Sequence, residues 1–325
     1  MKRREFITLL GGATALPFAA RAQASVPLIG YLASSSAAAP SGPIEAVHQA
    51  LKQSGYEVGQ ASRMEYRYAE NHPERLPSLA AELVRMSPQL IITSGGPAAT
   101  LAAKGATSTI PIVFAPLSDP VRSGVVTSLN KPGGNITGVA ALTIELDPKR
   151  LELLHELTPA KGPLGVLFNP TRPDSQLQID PIRATARTFE RELVLAPASA
   201  IDELDIAFVT FRKAAIAGLL VAADAFFSGQ RKRVLALVSD AGWPAVFQWR
   251  EFAEEGGLAS FGSNLFESYR QAGLYAARIL GGEKPANLPV EQPTKFELVI
   301  NLKTARALGV NVPLALQARA DALIE

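Results

Sequence analysis

Apolar and polar positions along the chain follow two alternating periods, one typical of strands and the other typical of helices. Short apolar or alternating segments are separated by longer segments whose apolar residues recur every three or four positions. In the first half this pattern predicts strands at 25–33, 62–69, 89–93 and 111–115, with helices between them at 44–55, 76–87 and 97–107. Such an alternating order indicates a parallel sheet with helices on both faces.

The same order of elements recurs in the second half of the chain. The pattern there predicts strands at 162–169, 193–198, 217–223 and 244–249, with helices at 179–192, 202–214 and 227–242. In each series the fourth strand carries Pro-x-Val-Phe, and the two copies lie roughly 130 residues apart. The sequence therefore predicts an α/β protein with two doubly wound parallel-sheet lobes of similar topology.

The residues that follow the predicted strands indicate where a ligand would bind. Ligands of open parallel sheets bind beyond the carboxyl ends of the strands, so two facing lobes would share one cleft. The candidate ligand-binding residues at these strand ends are Ser34, Ser35, Ser36, Ser94, Gly95, Gly96, Leu117 and Asp119 in the first lobe, and Asn169, Asp224, Phe227, Trp249 and Arg250 in the second.

The chemistry of these residues suits a small ligand with charged groups. Ser94-Gly95-Gly96 precedes a predicted helix and could bind an anion through free backbone N–H groups, although a tight turn with a capping serine is an alternative. Asp119 and Asp224 could pair with an ammonium group or could cap the following segments. Phe227 and Trp249 could contact the apolar part of a ligand or belong to the core. Their convergence on one edge favours a binding site.

Residues 1–24 have the features of an export signal. They begin with Lys2-Arg3-Arg4, continue with a short apolar run and end with Ala22-Gln23-Ala24, which predicts cleavage after Ala24. Arg3-Arg4-Glu5-Phe6-Ile7 resembles the twin-arginine motif. A buried N-terminal helix is the alternative. Without this segment, Lys plus Arg falls from 32 to 28 and Asp plus Glu from 30 to 29, so the remaining chain is nearly neutral.

Charge and composition argue against several classes of function. A nearly neutral chain with one short basic run, at 231–233, lacks the concentrated basic face that nucleic acid requires. The chain has no cysteine, so it would hold no disulfide and no lipid attached at the cleavage site. The spacing of His48, His72 and His155 fits no metal motif, and no cofactor is expected. Known catalytic motifs are absent from the sequence, so we predict a non-enzyme, with a carboxylate-based hydrolase as the remaining enzymatic alternative.

The C-terminal segments EQPTKFELVINLKTARALG (291–309) and VPLALQARADALIE (312–325) resemble the substrate-binding proteins of ABC transporters, a family that includes tryptophan- and tyrosine-binding proteins. The resemblance covers essentially the whole chain after the export signal, and it is carried by the segments 76–83, 93–114, 119–121, 128–139, 149–157, 249–262 and 269–293. It implies a type I periplasmic binding fold, in which two α/β lobes are joined by three crossovers and close on a small molecule.

The resemblance places the crossovers at 141–146, near 254–257 and at 288–293. Residues 25–140 and 258–287 would then form lobe one, including a strand at 258–261 and a helix at 265–280. Residues 141–257 and 288–325 would form lobe two.

The function that follows is that of a periplasmic, monomeric solute-binding protein. It would capture an amino acid, especially an aromatic or branched one, or a small carboxylate, and deliver it to an ABC permease in the inner membrane. Sugars are weaker candidates. A periplasmic sensor that presents its ligand to a membrane receptor would use the same binding residues and is the main alternative.

Overall fold

The computed structural model describes residues 26–37, 42–158, 160–172 and 174–325. The predicted export signal and its cleavage site lie outside these residues. None of the helices within the described ranges is long and apolar enough to cross a membrane.

Lobe one contains a five-stranded parallel sheet with strand order β2-β1-β3-β4-β5. All of the strands predicted for the first half are present, within a few residues of the predicted bounds. The elements are β1 (Leu28–Ala33), α1 (Gly42–Gln53), β2 (Arg63–Tyr68), a 3₁₀ turn η1 (Pro73–Arg75), α2 (Leu76–Arg85), β3 (Leu90–Ser94), α3 (Pro97–Ala106), β4 (Ile112–Leu117) and β5 (Ile136–Ala140).

Lobe two contains a seven-stranded sheet with strand order β12-β11-β10-β9-β8-β6-β7. The sheet is parallel except between β10 and β11. Its elements are α4 (Asp147–Leu157), β6 (Leu164–Phe168), α5 (Ser175–Thr188), β7 (Leu193–Pro197), α6 (Ile201–Lys213), β8 (Gly218–Val221), α7 (Ala225–Gly229), α8 (Arg231–Ala241), β9 (Ala245–Phe247), α9 (Arg250–Glu254), β10 (Ala259–Gly262), β11 (Glu297–Asn301), α11 (Leu302–Leu308), α12 (Leu314–Gln317) and β12 (Ala322–Ile324).

The second crossover differs from the prediction. The resemblance places the strand at 258–261 in lobe one, but β10 pairs with β9 and β11 in the sheet of lobe two. The helix that follows, α10 (Leu265–Leu280), does belong to lobe one, where Gly273 lies so close to α1 that a Cβ there would approach the Val47 carbonyl oxygen to 2.9 Å. The chain therefore crosses between β10 and α10. Gly262 at the end of β10 lies so close to the segment after β9 that a Cβ there would clash with the Gln248 carbonyl oxygen.

The third crossover also begins later than predicted. After α10 and the 3₁₀ turn η2 (Pro285–Asn287), Leu288 and Val290 pack into the core of lobe one. The backbone N–H of Ala140 donates to the Glu291 carbonyl oxygen at 2.7 Å, and the N–H of Glu291 donates to the Gly138 carbonyl oxygen at 3.0 Å. The segment 288–291 thus extends the sheet of lobe one beside β5, and the chain crosses to β11 through 292–296.

Each sheet is covered by apolar residues on both faces, as expected for parallel strands between two helical layers. In β1, for example, Ile29 and Tyr31 face one layer and Leu32 faces the other. The described residues form two buried clusters in each lobe. Residues that follow the carboxyl ends of strands in both sheets line one cavity between the lobes.

Candidate functional site

A cavity of about 520 Å³ lies between the two lobes, at the carboxyl ends of their strands. This volume is typical of pockets that hold small molecules. Of the predicted site residues, seven line the cavity: Ser35, Ser36, Ser94, Gly95, Gly96, Asp224 and Trp249.

The wall on the side of lobe one is centred on the start of α3. Gly95 and Gly96 both have positive φ, 85° and 99°, and lead directly into Pro97 at the first helical position. A Cβ on Gly95 would lie 2.9 Å from the Cβ of Ser34, so glycine is required there for steric as well as conformational reasons. Among the described residues, no side chain caps α3. Its first N–H groups and the positive end of its dipole are therefore available to an anion.

The alternative role of Ser94 as a helix cap is not what the structure shows. The cap position belongs to Gly96, and the Ser94 hydroxyl instead bonds the hydroxyl of Tyr269, at 2.6 Å. Ser34 lies behind this turn, where its backbone N–H donates to the Ser94 carbonyl oxygen. Ser34 therefore supports the turn and does not line the cavity.

Three tyrosines make the wall of lobe one largely aromatic. Tyr31 from β1, Tyr68 from β2 and Tyr269 from α10 all line the cavity. The Tyr31 and Tyr68 ring centroids are 6.2 Å apart in a tilted arrangement. Strand alternation places Tyr31 and Tyr68 on the same face of the sheet, since Tyr31 pairs with Tyr66, two residues before Tyr68. The contribution of Tyr269 depends on α10 returning to lobe one, which brings together residues 175 positions apart in sequence.

Asp224 both caps a helix and faces the cavity from lobe two. Its Oδ1 accepts the Phe226 N–H at 2.7 Å, which caps α7, and the Asn169 side-chain amide at 3.0 Å. Its Oδ2 receives an ion pair from Arg172 at 3.3 Å. The sequence presents capping and ligand contact as alternative roles for Asp224, but the geometry is compatible with both. Asn169 lies behind Asp224 and holds it in place.

Arg172 is a cavity residue that the sequence reasoning missed. It lies three residues after Asn169, further past the end of β6 than the strand-end prediction reaches. Its guanidinium makes a bidentate pair with Asp174, at 2.8 and 2.9 Å, and also bonds the Ala223 carbonyl oxygen. Burial lowers the pKa of Arg172, but Asp224 and Asp174 raise it above the ordinary value overall.

The charges of this cluster do not cancel. Arg172, Asp174 and Asp224 are all at least nine-tenths buried, and they carry one positive and two negative charges. A buried charge is stable when it is paired, so one negative charge in this cluster remains to be balanced. Arg231, which also lines this wall, is already paired with Glu255. The wall of lobe two is thus suited to a cation, whereas the start of α3 in lobe one is suited to an anion.

A buried ion pair supports the wall from beneath. Asp147 and Arg150 are both fully buried and lie 2.6 Å apart. Arg150 also donates to the Thr143 carbonyl oxygen at 2.6 Å, and Asp147 accepts the Ala223 N–H at 3.3 Å. Burial raises the pKa of Asp147, and Arg150 opposes this rise. Since Thr143 and Ala223 line the cavity, the pair fixes the backbone that forms its floor.

The remaining predicted residues lie outside the cavity, each for an identifiable reason. Leu117 and Phe227 are core residues, with 1% and no exposed surface. Asp119 caps the turn that follows it, accepting the N–H groups of Val121 and Arg122. Arg250 is held away by ion pairs with Glu297 and Glu254. The apolar side chains that line the cavity in place of Phe227 include Trp249 and Phe266.

Metal-dependent chemistry has no support within the described part of the chain. No group of three or more His, Cys, Asp or Glu side chains is placed there to hold a metal ion.

Comparison with known proteins gives consistent results. A family model described as ABC transporter substrate binding protein matches residues 39–324. A tyrosine-binding protein from Clostridioides difficile (strain R20291) is 30% identical over 262 residues, which are 81% of this chain and 75% of that protein.

Two solved structures share the fold at 24% identity, each over 92% of this chain. An ABC domain in complex with L-Trp from Streptococcus pneumonia is covered over 100% of its chain, with a TM-score of 0.82. The ligand-free, open structure of a substrate-binding protein with adhesive properties from Clostridium difficile is covered over 99%, with a TM-score of 0.64. These likenesses confirm the predicted class of two parallel-sheet lobes.

Proposed function

We propose that this chain, which belongs to the family of ABC transporter substrate-binding proteins, captures an α-amino acid in the cleft between its lobes and delivers it to an ABC permease. The observation that carries the proposal is the opposite polarity of the two walls. An amino acid is a zwitterion, and its carboxylate and ammonium groups match the start of α3 and the net negative cluster at Asp224, respectively.

The apolar surface of the cavity favours an aromatic side chain. Tyr31, Tyr68, Trp249 and Phe266 supply aromatic rings to the walls, and rings of this kind pack well against other aromatic groups. The relatives support the same class, since one is named for binding tyrosine and another was solved with L-Trp. We therefore rank tryptophan and tyrosine first, branched amino acids next, and sugars last.

A thermal-shift panel tests this proposal. The purified protein is melted with each of the twenty amino acids, with indole-3-propionate and tryptamine, and with a set of sugars. A ligand present at one hundred times its Kd stabilises the folded state by roughly 2.7 kcal/mol, which gives a clear rise in Tm. We expect the largest rise with an aromatic amino acid. A rise with sugars and none with any amino acid would overturn the proposal.

Export to the periplasm is part of the same proposal and is supported by the sequence of residues 1–24. We expect cleavage after Ala24 by a route that depends on Arg3 and Arg4. Replacement of both arginines by lysine should leave the precursor in the cytoplasm, as seen on a blot of cell fractions. Normal export of that variant would instead indicate the general secretory route.

The membrane partner can be identified by affinity capture from membrane extract in the presence of the ligand. We expect an ABC permease to bind a monomer of this protein. Recovery of a signalling receptor in place of the permease would indicate a sensor. We also expect the bound ligand to be recovered chemically unchanged, since a binding protein does not turn over its ligand, and conversion of the ligand would indicate an enzyme.

A further inference from the structure

Three buried hydroxyl groups meet beside the start of α3. They belong to Tyr31 on β1, Ser94 at the end of β3 and Tyr269 on α10, and all three residues line the cavity and have less than a tenth of their surface exposed. The Ser94 and Tyr269 hydroxyl oxygens are 2.6 Å apart. Burial raises the pKa of Tyr31 well above its ordinary value, Tyr269 adds to that rise, and a hydrogen bond with the Ser94 side chain opposes it. The Ser94–Tyr269 bond and the position of Tyr31 on the strand next to that of Ser94 bring the three hydroxyl groups into one cluster.

The cluster has one proton more than it can use internally. Each hydroxyl group can donate one hydrogen bond. Three hydroxyls in a chain can form at most two hydrogen bonds among themselves, which leaves at least one proton for an acceptor elsewhere. The hydrogen bonds of the described residues include no further protein acceptor for Tyr31 or Tyr269. An acceptor supplied by a ligand would complete the cluster.

Both phenols remain donors at any physiological pH. Burial raises the pKa of Tyr269 to about 12, with the Ser94 hydrogen bond acting in the opposite direction. A neutral phenol can donate to an anion without bringing a charge of its own. The acceptor best suited to this position is therefore anionic, which agrees with the positive end of the α3 dipole at Gly95 and Gly96.

We infer that the phenols of Tyr31 and Tyr269, joined through Ser94, recognise the carboxylate of the ligand and make the site selective for amino acids over the corresponding amines. This inference rests on the proposed function, in which the carboxylate lies at the start of α3. It adds two residues to the binding site that the strand-end reasoning did not reach.

Selectivity follows from the cost of leaving buried donors unpaired. An amine that lacks the carboxylate would leave both the hydroxyl cluster and the α3 N–H groups without an acceptor from the ligand. Sites built to hydrogen-bond a polar group strongly reject analogues that lack it, for this reason. Because Tyr31, Ser94 and Tyr269 all belong to lobe one, this part of the site is complete before the lobes close.

The test uses isothermal titration calorimetry with three probes, which separate the two ends of the ligand. L-Tryptophan has both charged groups, indole-3-propionate lacks the ammonium group, and tryptamine lacks the carboxylate. We expect Tyr31→Phe and Tyr269→Phe each to weaken binding of L-tryptophan and indole-3-propionate about tenfold or more, as is typical for loss of a hydrogen bond to a charged group. Binding of tryptamine should change less than twofold in either variant.

Two further variants complete the design. Tyr66→Phe is the matched control, because it removes the same hydroxyl group from a tyrosine outside the cavity. The Tyr66 hydroxyl bonds His48 and does not line the cavity, so its loss should leave binding of all three probes unchanged. Asp224→Asn should show the opposite selectivity, weakening L-tryptophan and tryptamine while leaving indole-3-propionate unchanged. The Tm of each ligand-free variant shows whether it is folded.

The outcomes distinguish this inference from the proposed function. If both tyrosine variants bind L-tryptophan as tightly as the parent, the carboxylate site is misplaced while the amino-acid function stands. If indole-3-propionate binds in a tyrosine-dependent way and L-tryptophan does not bind, the carboxylate site stands and the amino-acid function falls. Equal losses for all three probes would indicate a structural role for the phenols and would overturn the inference.

Discussion

Single residues at the cleft combine tasks that the sequence presents as alternatives. Asp224 caps α7, orients Arg172 and faces the cavity at the same time. The strand-end rule located Asp224 and Ser94 from sequence because a βα turn must follow each parallel strand. It could not separate Asp224 from Asp119, since both are acids just beyond strands, and their difference depends on how each following loop folds.

Removal of the Asp224 carboxylate should affect stability as well as binding. In Asp224→Ala the α7 cap is lost, which typically costs about 1 kcal/mol, and Arg172 keeps only Asp174 as its partner. We expect the free energy of unfolding of the ligand-free protein, measured in urea, to fall by about 2 kcal/mol. Affinity for the amino acid should fall roughly thirtyfold. Asp180→Ala, at an exposed position on α5, is the control and should change neither quantity.

Glu251 should make the ligand-free protein less stable as pH rises. Burial raises the pKa of this carboxyl above its ordinary value, with Arg231 opposing the rise, and its Oε2 has no hydrogen-bond partner among the described residues. A carboxyl whose pKa is higher in the folded state favours folding below its unfolded pKa, and that contribution is lost as pH rises through the folded pKa.

Glu251→Gln imitates the neutral carboxyl at every pH. We therefore expect the free energy of unfolding of the variant, relative to that of the parent, to be larger at pH 7 than at pH 4. The measurement is the free energy of unfolding of both proteins at each of the two pH values. A difference that is the same at both pH values would mean that the carboxyl is not disfavoured in the folded protein.

Helices and strands follow closely from periodicity, whereas their assignment to a lobe does not. The predicted helix at 265–280 has the observed bounds, and the predicted strand at 258–261 differs from β10 by one residue. That β10 belongs to lobe two and α10 to lobe one is decided by contacts between residues far apart in sequence. The period of apolar residues carries no information about such contacts. The predicted helix at 227–242 is divided at Gln230, because the cap at Asp224 starts a short helix before α8 begins.

The start of α4 depends on the buried Asp147–Arg150 pair. Arg150 bonds the Phe261 carbonyl oxygen of β10 at 2.6 Å. It thus joins α4, which follows the first crossover, to β10, which precedes the second. We expect Arg150→Met to lower the free energy of unfolding by about 3–5 kcal/mol, since Asp147 is left as an isolated buried charge. The double variant Arg150→Met with Asp147→Leu should recover much of the loss. Equal losses in the single and double variants would show that Arg150 acts through packing and not through charge.

At the scale of the whole molecule, the three crossovers form a compact hinge. The Ser263 hydroxyl bonds the Ala141 carbonyl oxygen at 3.4 Å, which joins the first crossover to the second, and Glu291 in the third segment pairs with β5. Across the cleft, Arg172 of lobe two lies 3.4 Å from the Ser118 hydroxyl of lobe one. Rotation about the crossovers would separate these two residues and open the cavity.

In the structure both lobes line the same cavity, so a ligand held there would contact both walls. A ligand that contacts both walls has higher affinity for the closed form than for the open form, and this difference shifts the population toward closure.

We therefore expect the ligand-free protein in solution to be more open than the structure described above. Small-angle X-ray scattering should give a radius of gyration that decreases when L-tryptophan is added to saturation. Asp224→Asn should need a higher concentration for the same decrease, because it removes the contact made by lobe two. Tryptamine, which reaches Asp224 but cannot engage the start of α3, should close the lobes less completely at any concentration. A radius of gyration that is the same with and without L-tryptophan would mean that the lobes are already closed, and that the ligand enters without hinge motion.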